Sequence, residues 1–193
     1  MENMNKWIDK LGLDNNITLE DMPNLDLYMD QVIQLFESRL NSTKRGPDDK
    51  VLTKTMINNY AKGKLLIPIK NKKYSKEHLI LISLIYQLKG ALSINDIKLT
   101  LDGINEKAVI GDMDLEGFYR SYLKISQSNV QQFMTDMEHQ VEETAKEIDG
   151  LKDKDAQYLE RVLLITSLTN ISNLYRRAAE RLVDEITLEK KGE

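Results

Sequence analysis

Apolar residues along this chain recur mostly three and four positions apart, and no segment of any length alternates strictly between apolar and polar. That period predicts an all-α protein with at most one small hairpin. Trp7, Ile8 and Leu11 suggest a short amphipathic helix at the start, followed by irregular chain to Pro23. Leu27, Tyr28, Val32, Leu35, Phe36 and Leu40 mark the apolar face of a helix over 25–40, which "NSTKRGPDD" interrupts with Asn, Gly and Pro. Thr53 is placed to cap a next helix carrying Met56, Ile57 and Tyr60, which Gly63 and Pro68 end.

"LLIPIKNKKYS" then reads as extended chain whose Lys-Asn-Lys could turn a small hairpin. Ser75 caps a helix with Leu79, Ile82, Leu84, Ile85 and Leu88, and Gly90 stops it. "SIND" is a Ser-x-x-Asp capping box opening another helix through Leu101. Residues 103–116, with Gly103 and Gly111 among mixed polar neighbours, read as a linker. Two longer helices follow, the first striped by Tyr119, Leu123, Ser126, Val130, Phe133, Met137, Val141 and Ile148. The second runs from about Asp155 to Leu188, and "DGLKDKD" is short enough to make the two antiparallel neighbours. The domain reading is an N-terminal helical arm (1–24), a helix-turn-helix domain (25–102), the linker (103–116) and a helical hairpin (117–193).

Charge changes this picture more than composition does. The chain has a net charge of −4, yet Lys44–Lys89 holds eleven Lys or Arg against three Asp or Glu. The remainder, by difference from 27 basic and 31 acidic residues, carries 16 against 28. A basic segment inside an acidic chain is the electrostatic footprint expected of a nucleic-acid module, although a solvated lysine-rich face would have the same composition. No run approaches the roughly 18–20 apolar residues that span a bilayer, and "MENMNKWIDKLGL" has no signal-peptide pattern, so no membrane and a cytoplasmic location are expected. The absence of cysteine excludes disulfides and thiolate chemistry.

The order from Thr53 to Ile97 resembles a winged helix-turn-helix of the MerR type. Thr53, Ile57, Tyr60, Leu65, Leu66, Pro68 and Tyr74 fit its second helix and wing, and Gly90, Ser93 and Ile97 fit the stretch that follows. Asn58 stands where that family carries a DNA-contacting Arg, Asn59 replaces an aromatic, and Asn41–Lys50 replaces a tight turn. A closer resemblance, carried by "LDLYMDQV", "LTKTMINNYAKGKLL", "KKYSKEHL" and "SINDI", is to a bacterial family labelled domain of unknown function 1836. The fold expected is therefore all-α, a winged helix-turn-helix domain followed by an antiparallel helical pair.

The candidate partner is double-stranded DNA. Lys54, Asn58, Lys62 and, partly round the helix, Asn59 supply the short polar and cationic side chains that a major-groove helix needs. Lys70, Lys72 and Lys73 lie where a wing would meet phosphates, and Tyr60 or Tyr74 could donate to the backbone or simply pack in the core. No enzyme is expected: no phosphate loop or nucleophile elbow is visible, and neither His78 nor His139 has a second histidine at metal-ligand spacing. No cofactor is implied. The carboxy-terminal stripes fit either intrachain pairing or a homodimer, which regulators use to read two half-sites. A small-molecule effector between those helices is compatible with both. The competing function is a helical adaptor that binds another protein through the basic patch.

Overall fold

The computed structural model describes Ile8 and residues 11–192, so the helix expected around Trp7 lies largely outside the described residues. Six α-helices are present among them: α1 (Met29–Leu40), α2 (Lys54–Lys62), α3 (Lys76–Leu88), α4 (Ile94–Ile110), α5 (Leu115–Asp149) and α6 (Ala156–Gly192). Two two-residue strands, β1 (Leu27–Tyr28) and β2 (Lys73–Tyr74), pair antiparallel, with Leu27 opposite Tyr74 and Tyr28 opposite Lys73. The helical prediction holds, with one tiny sheet.

The centre is α3. Every residue from His78 to Ile85 is buried, so this helix is apolar nearly all round and serves as the post on which the others pack. Around it lie Val32, Phe36 and Leu40 of α1, Ile57 and Tyr60 of α2, and Ile97 and Leu101 of α4. Burying each large aliphatic or aromatic side chain contributes about 1.5–3 kcal/mol before chain entropy is counted. The helix starts are fixed as their caps predict. Thr53 Oγ1 accepts from the Met56 amide at 3.1 Å, and Ser93 and Asp96 close a reciprocal capping box.

Two sequence expectations need correction. The helix drawn over 25–40 begins only at Met29, because Leu27 and Tyr28 are drawn into the ladder with Lys73 and Tyr74. The "linker" 103–116 is helical as far as Ile110: Ile104 and Ala108 pack against the core, and Gly103 has nothing near it that opposes helix. Only the turn at 111–114 is left, where Gly111 takes φ +75° as the left-handed cap of α4. Within the segment read as an N-terminal helical arm, Ile17, Leu19 and Met22 are core residues. Leu115 and Tyr119 of α5 belong to the same core, and the Tyr119 hydroxyl donates to the Ile17 carbonyl at 2.7 Å. Burial and that enclosure push the Tyr119 phenol up to about 12.

Beyond Leu123, α5 runs out from the core to a turn at residues 150–155, and α6 returns antiparallel along it, as the short connection predicts, and also packs against α4. Ser167 donates to the Gln140 side chain at 2.7 Å, which fixes their register.

Candidate nucleic-acid interface

The basic surface expected from the sequence is built on α2 and the turn that follows. Ile57 and Tyr60 lock one side of α2 into the core, which turns Lys54, Asn58, Asn59 and Lys62 to solvent. The three-residue offset between the buried pair thus decides which side chains are free.

The end of α2 departs from the obvious reading of Gly63. The left-handed residue is Lys64 (φ +58°), while Gly63 keeps a helical φ of −73°. The Leu65 amide reaches the Tyr60 carbonyl at 2.9 Å and the Lys64 amide reaches that of Ala61 at 3.1 Å, which is a Schellman closure. Gly63 is needed for space: a Cβ there would meet Leu65 Cδ1 at 2.6 Å and the Asn59 carbonyl oxygen at 3.1 Å.

The predicted hairpin turn is present. Asn71 and Lys72 both have positive φ (+53° and +57°), and the Lys73 amide donates to the Lys70 carbonyl at 3.0 Å. Two successive left-handed residues give the twist that a two-residue hairpin loop requires. Lys70 and Lys72 are exposed at its tip, and Lys73 lies within the ladder.

Asp30 and Tyr28 connect this turn to α2. Lys54 Nζ lies 2.7 Å from Asp30, and Lys73 Nζ lies 5.3 Å from the centre of the Tyr28 ring. Tyr28 and Asp30 flank the start of α1, so the beginning of α2 and the basic turn border the same piece of surface. Sequence reasoning missed both residues. Tyr28 was read as part of a helical apolar face, yet it is 56% exposed. Asp30 places a carboxylate beside the cation expected to lead into a groove.

Of the two expected places for Tyr60 and Tyr74, their rings take the core. They are core residues, only 5% and 3% exposed, and burial raises both phenols above their ordinary value. Tyr74 packs edge-on against His78, with ring centres 5.7 Å apart. His78 Nδ1 accepts from the Ser75 amide at 3.1 Å, and Nε2 lies 3.3 Å from the Ile67 carbonyl, to which it must donate. Burial holds this imidazole below the ordinary histidine value. His78 is a structural clamp, joining the start of α3 to the chain entering the turn.

The segment between α1 and α2 is also pinned. Glu37 accepts from the Val51 amide at 2.9 Å and from Lys44, while Lys89 donates to the Val51 carbonyl at 3.1 Å. The long replacement for a tight turn is thereby held against α1 and α3.

Between α5 and α6 lies a separate groove of about 760 Å³, walled by Phe133, Met137, Leu168, Ile171 and Tyr175 with His139 at its edge. Among the described residues no three His, Asp or Glu side chains converge as around a metal ion, and no helix is long and apolar enough to cross a membrane.

The core and the basic surface together define a compact helical domain carrying a two-strand ladder. The chain belongs to the family described as Domain of unknown function (DUF1836), whose model matches residues 17–122. That span begins at the first core residue of the main cluster, Ile17, and closes at Tyr122, which packs against it. The hairpin lies outside the match. No curated protein and no solved structure matches the chain.

Proposed function

We propose that this protein is a DNA-binding transcriptional regulator, and that α1, α2, the basic turn and α3 act as a MerR-like winged helix-turn-helix. The observation that carries this reading is the outward face of α2. Lys54, Asn58, Asn59 and Lys62 are exposed on a helix whose opposite side is locked into the core. Beside it, the rigid left-handed turn presents Lys70 and Lys72. A short helix with asparagines flanked by lysines suits a major groove, where Asn pairs bidentately with adenine and Lys neutralises phosphate. The Lys54–Asp30 pair is a surface contact worth about 0–1 kcal/mol, weak enough for a phosphate to displace.

The test is a titration on host DNA fragments enriched by binding, across a salt series. Lys72→Ala weakens binding to every sequence alike and shallows the log–log salt slope by roughly one unit. Asn58→Ala leaves the slope unchanged and costs about 1–3 kcal/mol of preference for the enriched site. If the two variants behave identically, Asn58 does not read bases and the regulator reading fails.

One observation favours the adaptor reading. Val109 and Ile110, 57% and 74% exposed, form with Ile67 and Pro68 an apolar groove close to the basic turn. A protein partner would use that groove and DNA would not. Val109→Asp abolishes partner capture on this reading and leaves the salt series unchanged on the first.

A further inference from the structure

The hairpin buries too little of itself. Between residues 124 and 190 only Met137, Thr144, Ile148, Leu164 and Val183 are buried. The helices have 35 and 37 residues, so the pair extends about 50 Å at 1.5 Å per residue. An isolated helix pair of that length needs tertiary burial to persist, because propensity alone is marginal in water.

The deficit lies on α6. Tyr158, Val162, Ile165 and Thr169 follow at spacings of four, three and four on the side turned away from Leu164, and all are exposed. Further along, Leu174, Tyr175 and Leu182 are 58%, 73% and 61% exposed. From Val162 to Tyr175 there is not one charged side chain. A solvated helix face carries charge, whereas a helix apolar on two sides has two neighbours. Here α5 is one of them and α4 also packs on α6, yet Tyr158, Val162, Ile165 and Thr169 stay exposed, so this face lacks its neighbour.

We propose that the second neighbour is α6 of another copy of this chain, packed antiparallel about a two-fold axis near Thr169, so that two hairpins form one four-helix bundle. Charge placement favours a second copy over any other occupant. The outer half of α5, Asp136–Asp149, carries six carboxylates against one lysine, and Arg176, Arg177 and Arg181 lie on α6 nearer the core. The Gln140–Ser167 bond shows that these arginines run past the uncharged stretch Ile125–Thr135 of their own α5, short of its acidic end. Antiparallel docking about Thr169 slides the arginines of each copy towards the acidic half of the other. An isologous contact is self-complementary in just this way.

The contact needs no DNA, so its test is separate from that of the regulator reading. Sedimentation of the full chain at tens of micromolar is expected to give twice the chain mass. Ile165→Lys and Val162→Lys, both at exposed positions of that stripe, are expected to give the single mass with unchanged helical circular dichroism. The chain has no cysteine, so single introduced thiols report the geometry. Thr169→Cys is expected to oxidise to a linked dimer and Leu188→Cys is not. A wild-type monomer overturns the proposal, including one whose hairpin takes up another protein or an apolar dye. So does a dimer that survives both lysine variants, or one that links through Leu188→Cys and not Thr169→Cys.

Discussion

At residue scale, the end of α2 separates two jobs that one glycine usually performs. Lys64 holds the left-handed conformation and Gly63 provides the empty space. The left-handed region costs an L-residue about 1–2 kcal/mol, and a glycine regains part of that while adding unfolded-state entropy. Lys64→Gly is therefore expected to stabilise the protein by about 0.5–1 kcal/mol. Gly63→Ala drives a methyl into fully buried Leu65 and is expected to destabilise by about 1–3 kcal/mol. Urea midpoints of the two variants should move in opposite directions. Equal shifts would mean that the chain end of α2 relaxes freely, and with it the placement of Lys62.

At element scale, the basic turn is held by its anchor to α3, and the anchor titrates. Neutral His78 accepts from the Ser75 amide and donates to the Ile67 carbonyl, an arrangement a protonated ring cannot keep. Its folded-state value lies below the ordinary 6.5, chiefly because burial disfavours the charge. Between those two values the unfolded chain binds more protons, so stability is present above 6.5 and falls as pH drops through the window. Denaturation from pH 7.5 to about 5 should show this slope in the wild type and lose it in His78→Gln. Helices, caps and the turn were legible in the sequence because periodicity, Thr53, "SIND" and "KNKK" are local signals. The strand Leu27–Tyr28 was not, since its partners are 47 and 45 residues away and two apolar residues fit a helical face equally well. The linker was misread because glycines weaken a helix only when packing does not support it, and Ile104 and Ala108 supply that packing. In the site, spacing from Ile57 identified exposed Asn58 and Lys62. It could not tell that Tyr60 and Tyr74 are enclosed, nor that Asp30 would meet Lys54, because both depend on contacts between distant elements.

At the scale of the whole molecule, a dense core meets a sparsely buried hairpin through the first turns of α5 and the packing of α6 on α4. Tyr119 is the joint: its ring stacks near Tyr122 at 5.6 Å, and its hydroxyl ties α5 to Ile17. The two regions therefore differ in what resists opening. In α3 it is the global stability of the core, whereas in α6 it is whatever covers Tyr158, Val162 and Ile165. Amide exchange follows local opening, and an association that covers one surface protects that surface in proportion to its occupancy. Exchange over 158–182 is therefore expected to quicken on dilution across the association range, while Leu79–Ile85 keeps its rate at every concentration. Ile165→Lys should show the fast pattern already at high concentration. Concentration-independent exchange in α6, as slow as in α3, would mean that the hairpin is stabilised within one chain and that its exposed apolar face has no partner to lose.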